Sequence, residues 1–340
     1  MFIAAAGNDN VDLFYDYPGN LDNAIAVAST DQDDLKSDFS NWGDKLDISA
    51  PGGGSTVWSD TEKTYINILS TRAQGTDMYG DGEKIVGEKY YRARGTSMAA
   101  PHVSGIASLI YALKPAFSSR IVEKILYNSA DDLGTTGWDK YFGNGRVNAR
   151  KAVKLTKNAI ADTTAPTQPT KLTAKAIHTR QVNLSWTKST DNLFVVGYKI
   201  YRNGIEIADV TDSQLTYSDI SLTQGTLYKY QVKAYDANSL SKAANIRITT
   251  PTDNIPPTAP SNLSGLAFSD RNELKWQPAT DNLYLAGYKV YRDGIEIADL
   301  SSSVLNYIDY QVNSGSKYLY TIRAYDQSQV VGEITIMMVI

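Results

Sequence analysis

The spacing of apolar positions changes once along this chain. Before residue 160, short continuous apolar runs alternate with stretches of helical spacing. "FIAAAG" (from Phe2) and "AIAVAST" (from Ala24) lack polar alternation, the pattern of strands covered on both faces. "SMAAPHVSGIASLIYALKP" (from Ser97) is an apolar segment that reads as a buried helix. "SSRIVEKILYNSA" and "VNARKAVKLTKNA" space their apolar residues helically, with Ser119 and Asn148 placed to cap them. Strands alternating with helices predict an α/β domain with a parallel sheet. Beyond residue 160 the helical period gives way to strict alternation. "QVNLSW", "YKIYRNG" and "YKYQVKAYD" stand between turn signals, the patterning of all-β sandwiches.

The second half is a repeat. "DNLFVVGYKIYRNGIEIAD" (Asp191 to Asp209) returns as "DNLYLAGYKVYRDGIEIAD" (Asp281 to Asp299), with 14 of 19 positions identical. Trp186 maps to Trp276, and "YKYQVKAYD" to "YLYTIRAYD". Each copy follows a proline-rich stretch, "TTAPTQP" or "NIPPTAP", that fixes φ and extends the chain. Three domains are predicted: 1–160, 161–251 and 252–340.

Composition adds limits. The 340 residues are 42% hydrophobic and 21% charged, an ordinary globular mixture. A net charge of −4 gives no footing for a nucleic-acid surface. No apolar run reaches the ~20 residues of a membrane span. Without cysteine, disulfides and thiolate metal sites are excluded. The chain opens directly on a buried strand, which raises the expectation of sequence upstream of Met1.

Chemistry concentrates at "RARGTSMAAPHVSG". A serine hydroxyl needs a base to take its proton and donors to hold the oxyanion that follows. The first amides of a helix have no internal partner, and the helix dipole is positive there. Ser97, at the mouth of the predicted helix, has both advantages. Gly95 would let a substrate backbone approach, and Pro101 is expected to be harmless in the first turns. A serine at a helix start is more often only a cap, so the position alone decides nothing.

The neighbouring residues decide more. "GTSMAAPHVSGIASLI" resembles the serine motif of subtilisin-like serine proteases. The resemblance extends over most of residues 1 to 153, through "FIAAAGNDN", "YPGNLDNAIAVASTD", "SDFSNWGDKLDISAPGG" and "GWDKYFGNGRVNARKAV". It implies the C-terminal part of a subtilisin-like α/β domain, with Ser97 as nucleophile and Asn8 as oxyanion donor. It further implies a substrate wall of Ala5, Ala6 and Gly7. Asp16 lies near the pocket bottom, where a carboxylate would favour Lys or Arg; the alternative is that it faces solvent or calcium. Across their whole length the repeats resemble fibronectin type III modules, and Tyr228 and Tyr318 match a corner tyrosine that bonds back to the backbone. Their aromatics read first as core, with a carbohydrate-binding face as the alternative.

One departure is large. The mechanism needs a histidine oriented by an aspartate. This chain has two histidines, His102 inside the serine helix and His178 in the first repeat, and no "HG" dipeptide. The chain is therefore expected to be a fragment that lacks both groups and is inactive alone. No cofactor is required for the chemistry. Asp9, Asn10, Asp12, Asp16 and Asp22 could hold a structural calcium, though solvated loop acids are the favoured reading. The polar stretch between Thr71 and Gly95, with a hairpin turn at Asp81-Gly82, reads as a surface insertion rather than a cleft border. The expectation is a secreted, monomeric endopeptidase of proteins or peptides. Its repeats would serve as spacers or contact polysaccharide or matrix. The alternative is a degenerate protease fold that binds or adheres.

Overall fold

The computed structural model describes residues 1–54, 67–77, 85–326 and 330–339. Strands β1 (Phe2–Ala5), β2 (Ala24–Thr30) and β3 (Ile48–Pro51) form a parallel sheet in the order β1-β2-β3. Every residue of the central β2 is buried, which is why its sequence lacks alternation. Ile25 and Val27 face one core, and Ala26 and Ala28 join Ala6, Leu13 and Leu46 in another.

The first core is built with helices α1 (Thr96–Leu113), α2 (Ser119–Asn128) and α3 (Ala149–Ala161). The cap of α2 is Ser118, one residue before the predicted Ser119; its hydroxyl accepts from the Ile121 amide. Asn148 caps α3 as predicted, accepting from the Lys151 amide at 3.0 Å. A second small sheet is antiparallel, with β4 (Ile68–Thr71), β5 (Ile85–Val86) and β6 (Tyr90–Ala93) in the order β4-β6-β5. The expected turn at Asp81-Gly82 lies outside the described residues.

The chain divides into two compact units, and the first does not end at residue 160. It comprises residues 1–167, 190–196 and 234–241. Phe194 and Val196 are buried in the same core as Val122, Ile125 and Ala159, with Leu193 and Tyr235 packed against it.

Each repeat contains a three-stranded and a four-stranded antiparallel sheet. In the first repeat, β7 (Thr170–His178), β8 (Gln181–Thr187) and β11 (Thr216–Asp219) run in the order β11-β8-β7. β9 (Gly197–Arg202), β10 (Ile205–Thr211), β12 (Leu227–Tyr235) and β13 (Ala244–Thr249) run β10-β9-β12-β13. In the second repeat, β14 (Ser261–Ala267), β15 (Asn272–Gln277) and β18 (Asn306–Asp309) run β14-β15-β18. β16 (Gly287–Arg292), β17 (Ile295–Ser301), β19 (Lys317–Tyr325) and β20 (Val330–Val339) run β17-β16-β19-β20.

Both sheets of the second repeat feed one core, in which Trp276 of β15 meets Tyr288 of β16 edge-on at 5.6 Å. Trp186 and Tyr198 do the same in the first repeat at 5.4 Å. Buried Asp219 accepts from Tyr230 and Arg202, and Asp309 accepts from Tyr320 and Arg292. No helix among the described residues is long and apolar enough to cross a membrane.

Asp131 holds the start of α3. It accepts hydrogen bonds from Lys151, Arg146 and the capping Asn148. The Lys151 hydrogen bond, with help from Asn148 and Arg146, holds the Asp131 carboxyl at about 2 against the desolvation of partial burial. An unfolded aspartate titrates near ~3.9. The contribution is therefore complete above that value and is lost as pH falls through about 2. Asp131→Asn should lower the melting temperature at pH 7, and its deficit should shrink steadily between pH ~4 and ~2. A deficit that stays constant in a pH series of thermal melts would contradict this role.

Candidate active site

β1 and α1 meet where Asn8 reaches the helix mouth. α1 begins at Thr96, and its cap residue, Gly95, has φ +140° and no side chain to offer. The missing acceptor comes from 88 positions earlier. Asn8 Oδ1 accepts from the Thr96 amide at 2.8 Å and from the Thr96 hydroxyl at 3.1 Å. That hydroxyl accepts in turn from the Gly7 amide at 3.1 Å. A backbone N–H only donates, so this contact orients the Asn8 amide: its oxygen faces Thr96 and its Nδ2 donor is left over.

Ser97 is exposed in the first turn of α1. Its amide is one of the first-turn donors that lack an intrahelical acceptor, at the positive end of the helix dipole. Hydroxyl, amide and dipole thus share one exposed helix mouth, against which the Asn8 side chain lies. A Cβ added at Gly95 would sit 3.5 and 3.6 Å from the Asn8 side-chain atoms. Gly95 is itself buried, and its amide donates to the Gly52 carbonyl at 2.8 Å. Its glycine is favoured by φ rather than by Asn8, with which a Cβ would be in ordinary contact, and its burial leaves little surface for a substrate backbone.

Ser97, Met98, Pro101 and His102 line one side of a cleft of about 430 Å³. The other side is β4 with Tyr91 and Ala93 of β6. Tyr91 and Ala93, at the end of the polar stretch before Ser97, therefore border the cleft, because β6 runs directly into Gly95. Pro101 is not neutral either. It is the sixth residue of α1, past the unpaired amides of the first turn, so the Ser97 carbonyl loses its intrahelical partner.

His102 is half-buried and donates Nδ1–H to the Met98 carbonyl at 2.9 Å. Although it shares the cleft, it stands about 140° around the axis from Ser97 and ~7 Å along it. His178 stacks on Tyr284 at 4.6 Å, and burial lowers its affinity for a proton.

The substrate-wall residues separate. Ala5 ends β1 half-buried, while Ala6 has no exposed surface and packs behind the wall with Leu13 and Leu46. The expectation that Ala6 touches substrate is corrected on that ground. Gly7 has φ +100°, and a Cβ there would meet Asp16 Oδ2 at 1.9 Å. Asp16 accepts from Asn41 Nδ2 at 2.8 Å, and Asn41 Oδ1 accepts from the amides of Asp9 and Val11. Asn41 and Thr96 organise the site but were not singled out in the sequence; "SNWG" and "GTS" gave only their type. The loop acids do not converge. Asn10 accepts from Lys36, Asp12 from the Phe14 amide and Asp22 from Lys45.

Residues 1–145 match the family model described as the subtilase family, Peptidase_S8. Thermitase of Thermoactinomyces vulgaris is 39% identical over 152 residues, 45% of this chain and 43% of thermitase. Exoglucanase B of Cellulomonas fimi is 36% identical over 173 residues, 48% of this chain and 16% of that protein. Chitinase A1 of Niallia circulans is 35% identical over 173 residues, 48% of this chain and 24% of that protein. The chain spans less than half the length of each of these relatives. Residues 1–145 are thus similar to the subtilisin-like serine proteases.

The two ends of the Asn8 amide should separate in stability measurements. Asn8→Ala removes the cap acceptor and should cost about 1 kcal/mol in denaturant unfolding. Asn8→Asp keeps the acceptor and should cost much less. Equal losses in the two variants would rule out the capping role.

Proposed function

We propose that residues 1–145 supply the nucleophile and oxyanion side of a serine endopeptidase site. Ser97 Oγ attacks the scissile carbonyl carbon, and the oxygen that becomes negative receives donors from Asn8 Nδ2 and the Ser97 amide. The observation that carries this reading is the bond from the Thr96 amide to Asn8 Oδ1, which commits the acceptor end of Asn8 and leaves its donor end. Protein and peptide substrates would lie in the cleft between α1 and β4 and pass Ala5 and Gly7, which lie outside its lining. Asp16, held by Asn41 beside Gly7, would place negative charge there and favour Lys or Arg.

Among the described residues, neither histidine is placed to take the proton of Ser97. His102 has one nitrogen bound to Met98 and projects away from Ser97, while His178 belongs to a strand of the first repeat. The histidine and its aspartate are assigned to a segment outside this chain, and the chain by itself does not turn over.

The repeats are read as fibronectin type III-like modules, residues 161–251 and 252–340, in a secreted protein. The Tyr228 hydroxyl accepts from the Thr223 amide and the Tyr318 hydroxyl from the Asn313 amide, both at 2.9 Å, as expected of corner tyrosines. Similarity to a chitinase and an exoglucanase supports spacer or polysaccharide-contacting roles.

Casein digestion tests the proposal. The 340-residue chain should be inert. A longer protein that includes the histidine segment should digest casein, and Ser97→Ala should abolish this. Asn8→Asp should lower kcat by ~10²–10³ with little change in KM. Ser97-dependent digestion by the 340-residue chain would refute the missing base. An inert longer protein would favour a degenerate, binding protein.

A further inference from the structure

The described residues contain two groups of three carboxylates, Asp162, Asp191 and Asp236, and Asp253, Asp281 and Asp326. Within each group one oxygen per residue lies within 4.8 Å of the other two. Two oxygens bound to one calcium at 2.3–2.6 Å are separated by up to ~5 Å. The groups occupy equivalent places. Asp162 follows α3 and Asp253 follows β13, each in the stretch that leads into a repeat. Asp191 and Asp281 lie between the second and third strands of their repeats, and Asp236 and Asp326 directly follow β12 and β19. Asn192 and Asn282 each donate to the first aspartate of their group, at 3.3 and 3.4 Å.

The carboxylates are clamped in a way that leaves bare oxygens. Asp236 is 5% exposed; its Oδ1 accepts from the amides of Asn238 and Ser239, and its buried Oδ2 has no partner. Asp253 is 1% exposed; its Oδ1 accepts from the Ile255 amide, and its Oδ2 has no partner. Asp191 gives Oδ2 to the amides of Leu193 and Phe194, and Asp281 gives Oδ1 to those of Leu283 and Tyr284. Their other oxygens are buried and unpartnered too. A buried carboxylate oxygen without a partner is costly, and more so beside two further carboxylates. The backbone bonds prevent the oxygens from turning away. Burial and the proximity of Asp191 and Asp162 also raise the Asp236 carboxyl.

We propose that each group is a calcium site, built once per repeat where its lead-in meets two of its loops. The ligands are oxygens only, which selects a hard cation, and three carboxylates with carbonyl or water oxygens suit the flexible coordination of calcium. The first cation would tie the end of α3 to the loops at 190–196 and 234–241. The second would tie the stretch at Asp253 to the corresponding loops of the second repeat. Each cation thereby stiffens a proline-bearing lead-in against the repeat that follows. This inference is independent of the peptidase reading.

Calorimetric titration of calcium into the chelator-stripped 340-residue chain at pH 7 tests it. Asp236→Asn and Asp281→Asn each keep an oxygen for the clamping amides while removing a charge. Each should lower the calcium stoichiometry by one, and the double variant by two. The calcium-induced rise in melting temperature should shrink in step, with circular dichroism unchanged. Variants that bind as much calcium as the parent would overturn the proposal. So would a stripped chain that takes up no calcium and holds a shared proton in each cluster instead. If Asp236→Asn fails to fold, Asp281→Asn in the other compact unit decides the matter alone.

Discussion

The arrangement around Ser97 depends on one hydrogen bond, from the Thr96 amide to Asn8 Oδ1 at 2.8 Å. Gly95 cannot cap α1, so the helix borrows its acceptor from the loop after β1. The bond fixes where the helix starts relative to the parallel sheet, which way the Asn8 amide points, and which donor remains. Gly7 adds a second tie through the Thr96 hydroxyl, and Asn41 holds the loop at Asp9 and Val11. A structural cap and the proposed oxyanion donor are therefore two ends of one side chain, and only a substitution that splits the amide would separate stability from the proposed chemistry at Asn8.

The repeats rely on a different principle. Tryptophan and tyrosine bring two sheets together, and a buried aspartate is shared by tyrosine and arginine. Both oxygens of Asp219 and of Asp309 are paired, whereas Asp191, Asp236, Asp253 and Asp281 each keep one buried oxygen without a partner. Each repeat thus has a core aspartate paired at both oxygens and junction aspartates that are not. That contrast is the physical basis for assigning the second kind to a ligand.

Much of this was legible in the sequence. Uninterrupted apolar letters in "AIAVAST" announced a strand buried on both faces, and alternation in "QVNLSW" announced one with two different faces. Asn148 is readable as a cap because capping is local; "SSRIV" offers two adjacent serines, and Ser118 is the one whose extended backbone and hydroxyl cap α2. Pro101 looked harmless because helix length before it could not be counted until Thr96 was known as the start. Ala6 looked like pocket wall, since strand letters do not tell which side faces a cleft. The aspartates at 162, 191 and 236 were visible only as repeat identity and a linker. Their convergence joins segments far apart in the chain, which no local pattern encodes.

The most direct test of the account is chemical. Treatment with a fluorophosphonate, followed by mass-spectrometric mapping of the adduct, reads the nucleophilicity of Ser97 without a substrate. The account predicts an adduct on Ser97 when the histidine segment is present, slowed ~10²–10³-fold by Asn8→Asp, and none in the 340-residue chain alone. Equal labelling of Ser97 with and without that segment, or an adduct that forms at the same rate in Asn8→Asp, would contradict it.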